Sequence, residues 1–180
     1  MATKELMTVE QFAQMETADT EVYELVDGEL IPLASPSPLH CIIRDRLGRL
    51  SWSYFDHNPI GGAIGELDCR VADGRVRRPD LSIFLGDRWG QLNLKQSPAP
   101  FAPDIAVEVI SPSEHMIDVN RKVHEYLNAG SQEVWLLDPE NLELHVRTNS
   151  DSWVLSATDT LASPLLPGFS AGVAMLLADR

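Results

Sequence analysis

The sequence predicts a mixed α/β or α+β fold, in which a central sheet is flanked by helices and edged by hairpins. Three observations carry that expectation. Residues 105–110 and 134–137 are short, nearly continuous apolar runs. Residues 39–55 and 118–129 repeat apolar side chains at three- and four-residue spacing. Asp27-Gly28 and Asp73-Gly74 each separate two strand-like stretches. With 180 residues, 44% of them hydrophobic, the chain can bury one substantial core, so residues 1–180 are expected to form a single domain.

In chain order, Thr8-Val-Glu-Gln11 is a capping box opening a short helix to about Glu16, with Val9, Phe12 and Met15 on one face. Residues 22–31 follow as a hairpin. A type I′ turn needs positive φ at both central residues, and Asp27-Gly28 suits it. Glu24 lies on the first strand of that hairpin. Ser35-Pro-Ser-Pro38 is a loop. The helix expected over 39–55 carries Ile42 or Ile43, Leu47, Leu50 and Tyr54, with Arg44, Asp45, Arg46 and Arg49 between them; Pro59, Gly61, Gly62 and Gly65 end it.

Residues 64–71 and 76–85 read as two strands of a second hairpin joined at Asp73-Gly74. Pro79 enters the apolar run of the second strand, where a missing amide donor costs least. Residues 86–103 form a polar, proline-containing connection that is long for a compact domain. Residues 105–110 have the continuous apolar character of a strand buried on both faces, interrupted by Glu108. A helix over 118–129 closes on Gly130 and buries Val119, Val123, Tyr126 and Leu127, with Lys122 one turn before Tyr126. Residues 134–137 are a further strand and Asp138-Pro139 a turn. Residues 142–147 and 152–156 are antiparallel outer strands, and apolar segments at 166–169 and 173–177 finish the chain.

Charge narrows the function classes. The 27 acidic residues outnumber 14 basic ones, for a net charge of −13, which argues against a broad basic face for phosphate contacts. Any nucleic-acid contact is expected to be local, bridged by a metal or weak. No stretch approaches the roughly 18 apolar residues of a membrane span. The first residues carry no apolar signal segment, and Cys41 and Cys69 are too few for a disulfide framework or a zinc site. The expectation is a cytoplasmic protein with reduced thiols and no membrane association. Gly61-Gly-Ala-Ile-Gly65 lacks the strand-then-helix context of a phosphate loop. Ser111 and Ser113 read as loop and cap groups, since no Ser-His-Asp order is present.

The chemistry gathers between Arg77 and Lys122. Asp80 and Glu108 are carboxylates embedded in apolar strands, where an unpaired charge is costly. Taken singly, each residue has an ordinary role: Asp80 as a strand-end cap or partner of Arg77 or Arg78, Glu108 as half of a structural ion pair, Lys122 as a solvated helix residue. Taken together, two acids from neighbouring strands suit the oxygen shell that Mg²⁺ or Mn²⁺ prefers. A nearby lysine can orient water or offset developing negative charge. Asp104 serves the strand entrance, and His115 and His124 have no assigned role.

Pro79-Asp80 followed by Glu108-Val-Ile110 on the next core strand resembles the PD-(D/E)XK nuclease superfamily, although Ile110 stands where its usual lysine would be. The run Tyr-Glu-Leu-Val-Asp-Gly-Glu-Leu, His40 at a helix start, Arg-Pro-Asp-Leu, Pro-Asp-Ile-Ala-Val-Glu-Val-Ile-Ser-Pro-Ser, Lys-Val-His-Glu-Tyr-Leu-Asn-Ala-Gly, Val-Trp-Leu-Leu-Asp-Pro and Leu-Pro-Gly-Phe is similar to the Uma-type restriction endonuclease family, over about residues 7–178. The resemblance implies a restriction-endonuclease-like core and a metal-dependent endonuclease acting on DNA. It also implies Mg²⁺ or Mn²⁺ held by Asp80, Glu108 and the Val109 carbonyl. Lys122, moved to the helix after the second acid, would position water or stabilise charge. Glu24 would be a further acid and His40 a lining residue. A nuclease-fold binding or regulatory protein is the alternative. A homodimer suits duplex cutting, and the apolar segments 165–169 and 173–177 would supply either its interface or the core.

Overall fold

The computed structural model describes residues 6–16, 21–112 and 114–179, so Ser113 lies outside the described residues. The N-terminal part builds a small sheet. Helix α1 (Val9–Ala13) starts at the expected capping box, with Thr8 and Gln11 each bonding the other's backbone. Strands β1 (Tyr23–Val26) and β2 (Glu29–Pro32) form the first hairpin. Asp27 and Gly28 both have positive φ, 52° and 80°, as its turn requires. Val9 and Phe12 pack with Leu25 and Val76 beneath this sheet.

Helix α2 (Pro38–His57) begins at N-cap Ser37 with proline in the first turn. Its buried stripe is Ile43, Leu47, Ser51 and Phe55, four residues apart, which settles the register on Ile43 and leaves Ile42 exposed. After it come β3 (Gly61–Gly65), β4 (Cys69–Ala72), β5 (Arg75–Arg77), β6 (Leu81–Leu85), α3 (Gly86–Gln91), β7 (Ile105–Val109), α4 (Met116–Asn128) and β8 (Glu133–Asp138). The chain closes with β9 (Glu143–Arg147), β10 (Ser152–Leu155), β11 (Thr160–Leu161), β12 (Ala171–Gly172) and α5 (Val173–Leu177).

The main sheet runs β10-β9-β8-β7-β6-β3, and the small one β2-β1-β5-β4. Only β7 and β8 pair in parallel in the main sheet, joined by α4 as a crossover, so the sheet is mixed as expected. Strand β7 alternates between two cores. Ile105, Val107 and Val109 pack with Ile43 and Leu47 of α2, whereas Ala106 packs with Val119, Val123 and Tyr126 of α4. Both faces are covered, which explains the apolar run.

Three expectations are corrected. The strands expected over 64–71 and 76–85 each divide between the two sheets: β4 and β5 make the Asp73-Gly74 hairpin, while β3 pairs with β6 across the main sheet. Buried Pro79 stands at the second division, where a residue without an amide donor cannot continue a ladder. Strand β3 was hidden because Gly61 and Gly62 look like breakers. A side chain at Gly62 would instead collide with the Trp89 ring, and one at Gly61 with the Phe84 carbonyl. The long connection 86–103 contains helix α3, which carries that tryptophan. Of the apolar C-terminal segments, Leu166, Phe169, Val173, Leu176 and Leu177 are buried within the chain, as the core reading expects, while Met175 is exposed. Among the described residues no helix is long and apolar enough to cross a membrane.

Candidate active site

Strand alternation aims Glu108. With Val107 and Val109 directed at α2, Glu108 shares the face of Ala106 and meets α4. On α4, Lys122 and Tyr126 are four residues apart and therefore neighbours on one side of the helix. They divide the two oxygens of Glu108. The Tyr126 hydroxyl donates to Oε1 at 2.6 Å, and Lys122 Nζ lies 3.3 Å from Oε2. Lys122 also reaches Glu114 Oε1 at 3.5 Å. Its side chain is only 14% exposed, so the solvated reading does not describe it.

Asp80 enters from β6. The last β6–β7 pair before the ladder opens is Leu81 with Val107, and one more step in that register sets Asp80 beside Glu108. There the Val109 amide donates to Asp80 Oδ2 at 2.6 Å, in place of a ladder bond. In an extended residue the N–H and C=O point to the same edge of the strand, so the Val109 carbonyl is turned to Asp80's side as well. His40, in the first turn of α2, meets Asp80 Oδ1 through Nε2 at 2.8 Å. Neither Arg77 nor Arg78 is the partner of Asp80. Arg78 forks onto Asp68 at 2.7 and 3.0 Å.

Glu24 has other contacts. Its Oε2 accepts from Arg77 Nη1 at 2.6 Å and its Oε1 from the Arg78 amide at 3.0 Å. Arg77 in turn donates through Nε to Glu125 Oε2 at 2.5 Å. All three side chains are buried, with Glu24 and Arg77 each 2% exposed. The triad ties β1, β5 and α4 together. Glu125 Oε1 and Arg77 Nη2 make no hydrogen bond among the described residues; Arg75 Nη1 stands 3.5 Å from that Oε1, close enough for Coulomb attraction but poorly aligned.

The electrostatics join these groups. Burial pushes the Glu108 carboxyl up to about 7; Lys122 pulls it back, and the negative charges of Asp80 and Glu24 push it further. Lys122 is raised, chiefly by Glu108 against the cost of burial, so it holds its proton firmly. Burial lowers His40, but its hydrogen bond and attraction to Asp80 outweigh that and leave it raised. Glu24, although bonded elsewhere, therefore belongs to the same field.

Among the described residues no three His, Cys, Asp or Glu side chains form a ready-made metal cage. Magnesium does not need one, since it commonly binds one or two carboxylates and keeps several waters. The donor chemistry fits: two carboxylates and a carbonyl are hard oxygen ligands. Of the residues expected from sequence, Asp80, Glu108, Val109, Lys122 and His40 come together, and Glu24 acts from one layer away. The Tyr126 hydroxyl is not evident from an apolar helical stripe; its four-residue spacing from Lys122 is the signal in the sequence that points to it. Asp104 does serve the strand entrance, accepting from the Leu85 amide and from Gln132.

A profile described as Uma2, putative restriction endonuclease, matches residues 9–176. An uncharacterized protein of Synechocystis sp. is 26% identical over 155 residues, covering 83% of this chain and 78% of its own. Among solved structures, one described as a putative nuclease belonging to DUF820 from Anabaena variabilis superposes with a TM-score of 0.82 at 21% identity, covering 95% of this chain and 97% of that one. That likeness supports the fold.

Proposed function

Because the chain belongs to the Uma2 family, whose members are described as putative restriction endonucleases, we propose that it is a divalent-metal-dependent endonuclease hydrolysing phosphodiester bonds in DNA. The observation that supports this most is the meeting of Asp80 and Glu108 at the open end of the β6–β7 ladder, with Lys122 reaching Glu108 from α4.

Asp80, Glu108 and the Val109 carbonyl would hold Mg²⁺ or Mn²⁺. Such an ion, when bound, supplies Lewis-acid stabilisation of a phosphoryl oxygen and acidifies a bound water. The remaining roles belong to the chain itself. Lys122, protonated at neutral pH, offsets negative charge on the phosphodiester and orients water, rather than removing a proton. His40 and the Val109 amide fix the two oxygens of Asp80. Glu24 adds negative charge that favours a cation at the site. Two strands of duplex DNA call for two such sites, and we propose a homodimer to present them.

Cleavage of plasmid and linear duplex DNA with Mg²⁺, Mn²⁺ or EDTA, by the wild type and by Glu108→Ala, tests this reading. Metal-dependent cutting that Glu108→Ala abolishes is the expected result. Equal residual cutting in both would indicate a contaminant. The second reading would then stand, a nuclease-fold binding or regulatory protein, which the net charge of −13 favours.

A further inference from the structure

We propose that Tyr126 is a positioning residue that pins one oxygen of Glu108 and so presents the other to the divalent cation; this deepens the metal-site reading and rests on it. Tyr126 is completely buried, and a buried phenol needs a hydrogen-bond partner. Its partner is a carboxylate oxygen, Glu108 Oε1, at 2.6 Å, the short length typical of a hydroxyl donating to an anion.

The other oxygen is held more loosely. Lys122 Nζ stands 3.3 Å from Oε2, longer than the roughly 2.7–2.9 Å of a strong ammonium–carboxylate bond. Lys122 also divides its charge with Glu114 at 3.5 Å. Glu108 therefore has one fixed and one available oxygen. A carboxylate anchored at one end loses less rotamer freedom when it takes up a ligand at the other, and such outer hydrogen bonds orient metal ligands.

The support for the phenol is itself rigid. The preceding residue, Glu125, is gripped by Arg77 at 2.5 Å, and Arg77 also holds Glu24 at 2.6 Å. The turn of α4 that carries Tyr126 is thus anchored to β5 and β1, and its ring packs with Val119, Val123 and Ala106. The Tyr126 hydroxyl is bonded to Glu108, so its effect passes through that carboxylate.

The test is Mn²⁺ affinity by calorimetry for the wild type, Tyr126→Phe and Tyr54→Phe. Tyr54 donates to the Pro167 carbonyl, away from the acids, and serves as the reference for loss of a phenol. The expected result is that Tyr126→Phe weakens Mn²⁺ binding roughly 10- to 100-fold while Tyr54→Phe leaves it unchanged. If Tyr126→Phe melts earlier but binds Mn²⁺ as the wild type does, its role is structural and the proposal is overturned, with the metal site intact. If the wild type itself binds no Mn²⁺ at millimolar concentration, the metal reading falls and this inference with it. A second measurement needs no variant. With ¹³Cζ-labelled tyrosine, Mg²⁺ should move the Tyr126 resonance and leave those of Tyr23 and Tyr54 in place; a stationary Tyr126 signal under saturating Mg²⁺ overturns the proposal.

Discussion

Glu108 is pulled two ways. Burial and the charges of Asp80 and Glu24 favour its neutral form, while Lys122 and the Tyr126 hydroxyl favour the anion; the balance lifts its pKa from 4.5 to about 7. A metal must displace that proton, so Mn²⁺ affinity should climb about tenfold per pH unit up to pH 7 and flatten above it, with one proton released per ion on the acid side. Calorimetry in buffers of different ionisation enthalpy reads both quantities. The same shift sets the sign for stability. The folded, metal-free protein binds this proton more tightly than the unfolded chain, so its contribution is present below about 4.5 and lost as pH rises through 7. Comparing thermal melts of the wild type and Glu108→Gln at pH 5 and pH 8 isolates it: the variant should lack this loss. Lys122→Met should lower kcat about 10²- to 10³-fold at saturating metal, because it removes a preorganised charge. A variant with wild-type kcat would remove Lys122 from the chemistry. At this scale the acids were legible in the sequence because Glu108 interrupts an apolar strand and Asp80 stands at the head of another. The phenol was not, because tyrosine in a helical stripe looks like packing until its hydroxyl is seen on a carboxylate.

Among the elements, β6, β7 and α4 carry the site, and a buried ion triad holds α4 against the small sheet. Arg77→Met would leave Glu24 and Glu125 buried without their shared cation. The expected cost is about 3–5 kcal/mol, a drop of roughly 10 °C in melting temperature. Replacing all three with Met or Leu of similar volume should recover most of it; a triple variant as unstable as Arg77→Met would mean the charges are not the cause. Most elements could be read from periodicity and turn chemistry: the capping box at Thr8 and the Asp27-Gly28 turn appear where expected, and the α2 stripe holds at Ile43 and Leu47, although Ser51 and Phe55 are buried ahead of the expected Leu50 and Tyr54, which only flank the core. Strand β3 could not. Its glycines are demanded by the Trp89 ring and the Phe84 backbone, contacts from residues more than twenty positions away. The division of residues 64–85 between two sheets was equally hidden, because alternation fixes which face a residue takes but not which strand lies alongside.

At the scale of the whole molecule, acidic residues outnumber basic ones 27 to 14. With a net charge of −13, DNA affinity should be weak in EDTA and strengthened by a non-catalytic divalent ion such as Ca²⁺, with a shallow salt slope of about two phosphates or fewer. Fluorescence anisotropy on a short duplex checks it. A steep slope in EDTA would reveal a phosphate-binding surface that this net charge does not anticipate. Light scattering tests the dimer: a monomer at all concentrations, with or without DNA, contradicts the two-site arrangement. If Asp80, Glu108 and the Val109 carbonyl hold one divalent ion, anomalous diffraction from crystals soaked in Mn²⁺ should show a single strong peak touching both carboxylates and that carbonyl, with Tyr126 still bonded to Glu108. Manganese bound elsewhere, or Lys122 remaining on Glu108 with no peak beside it, would contradict that reading.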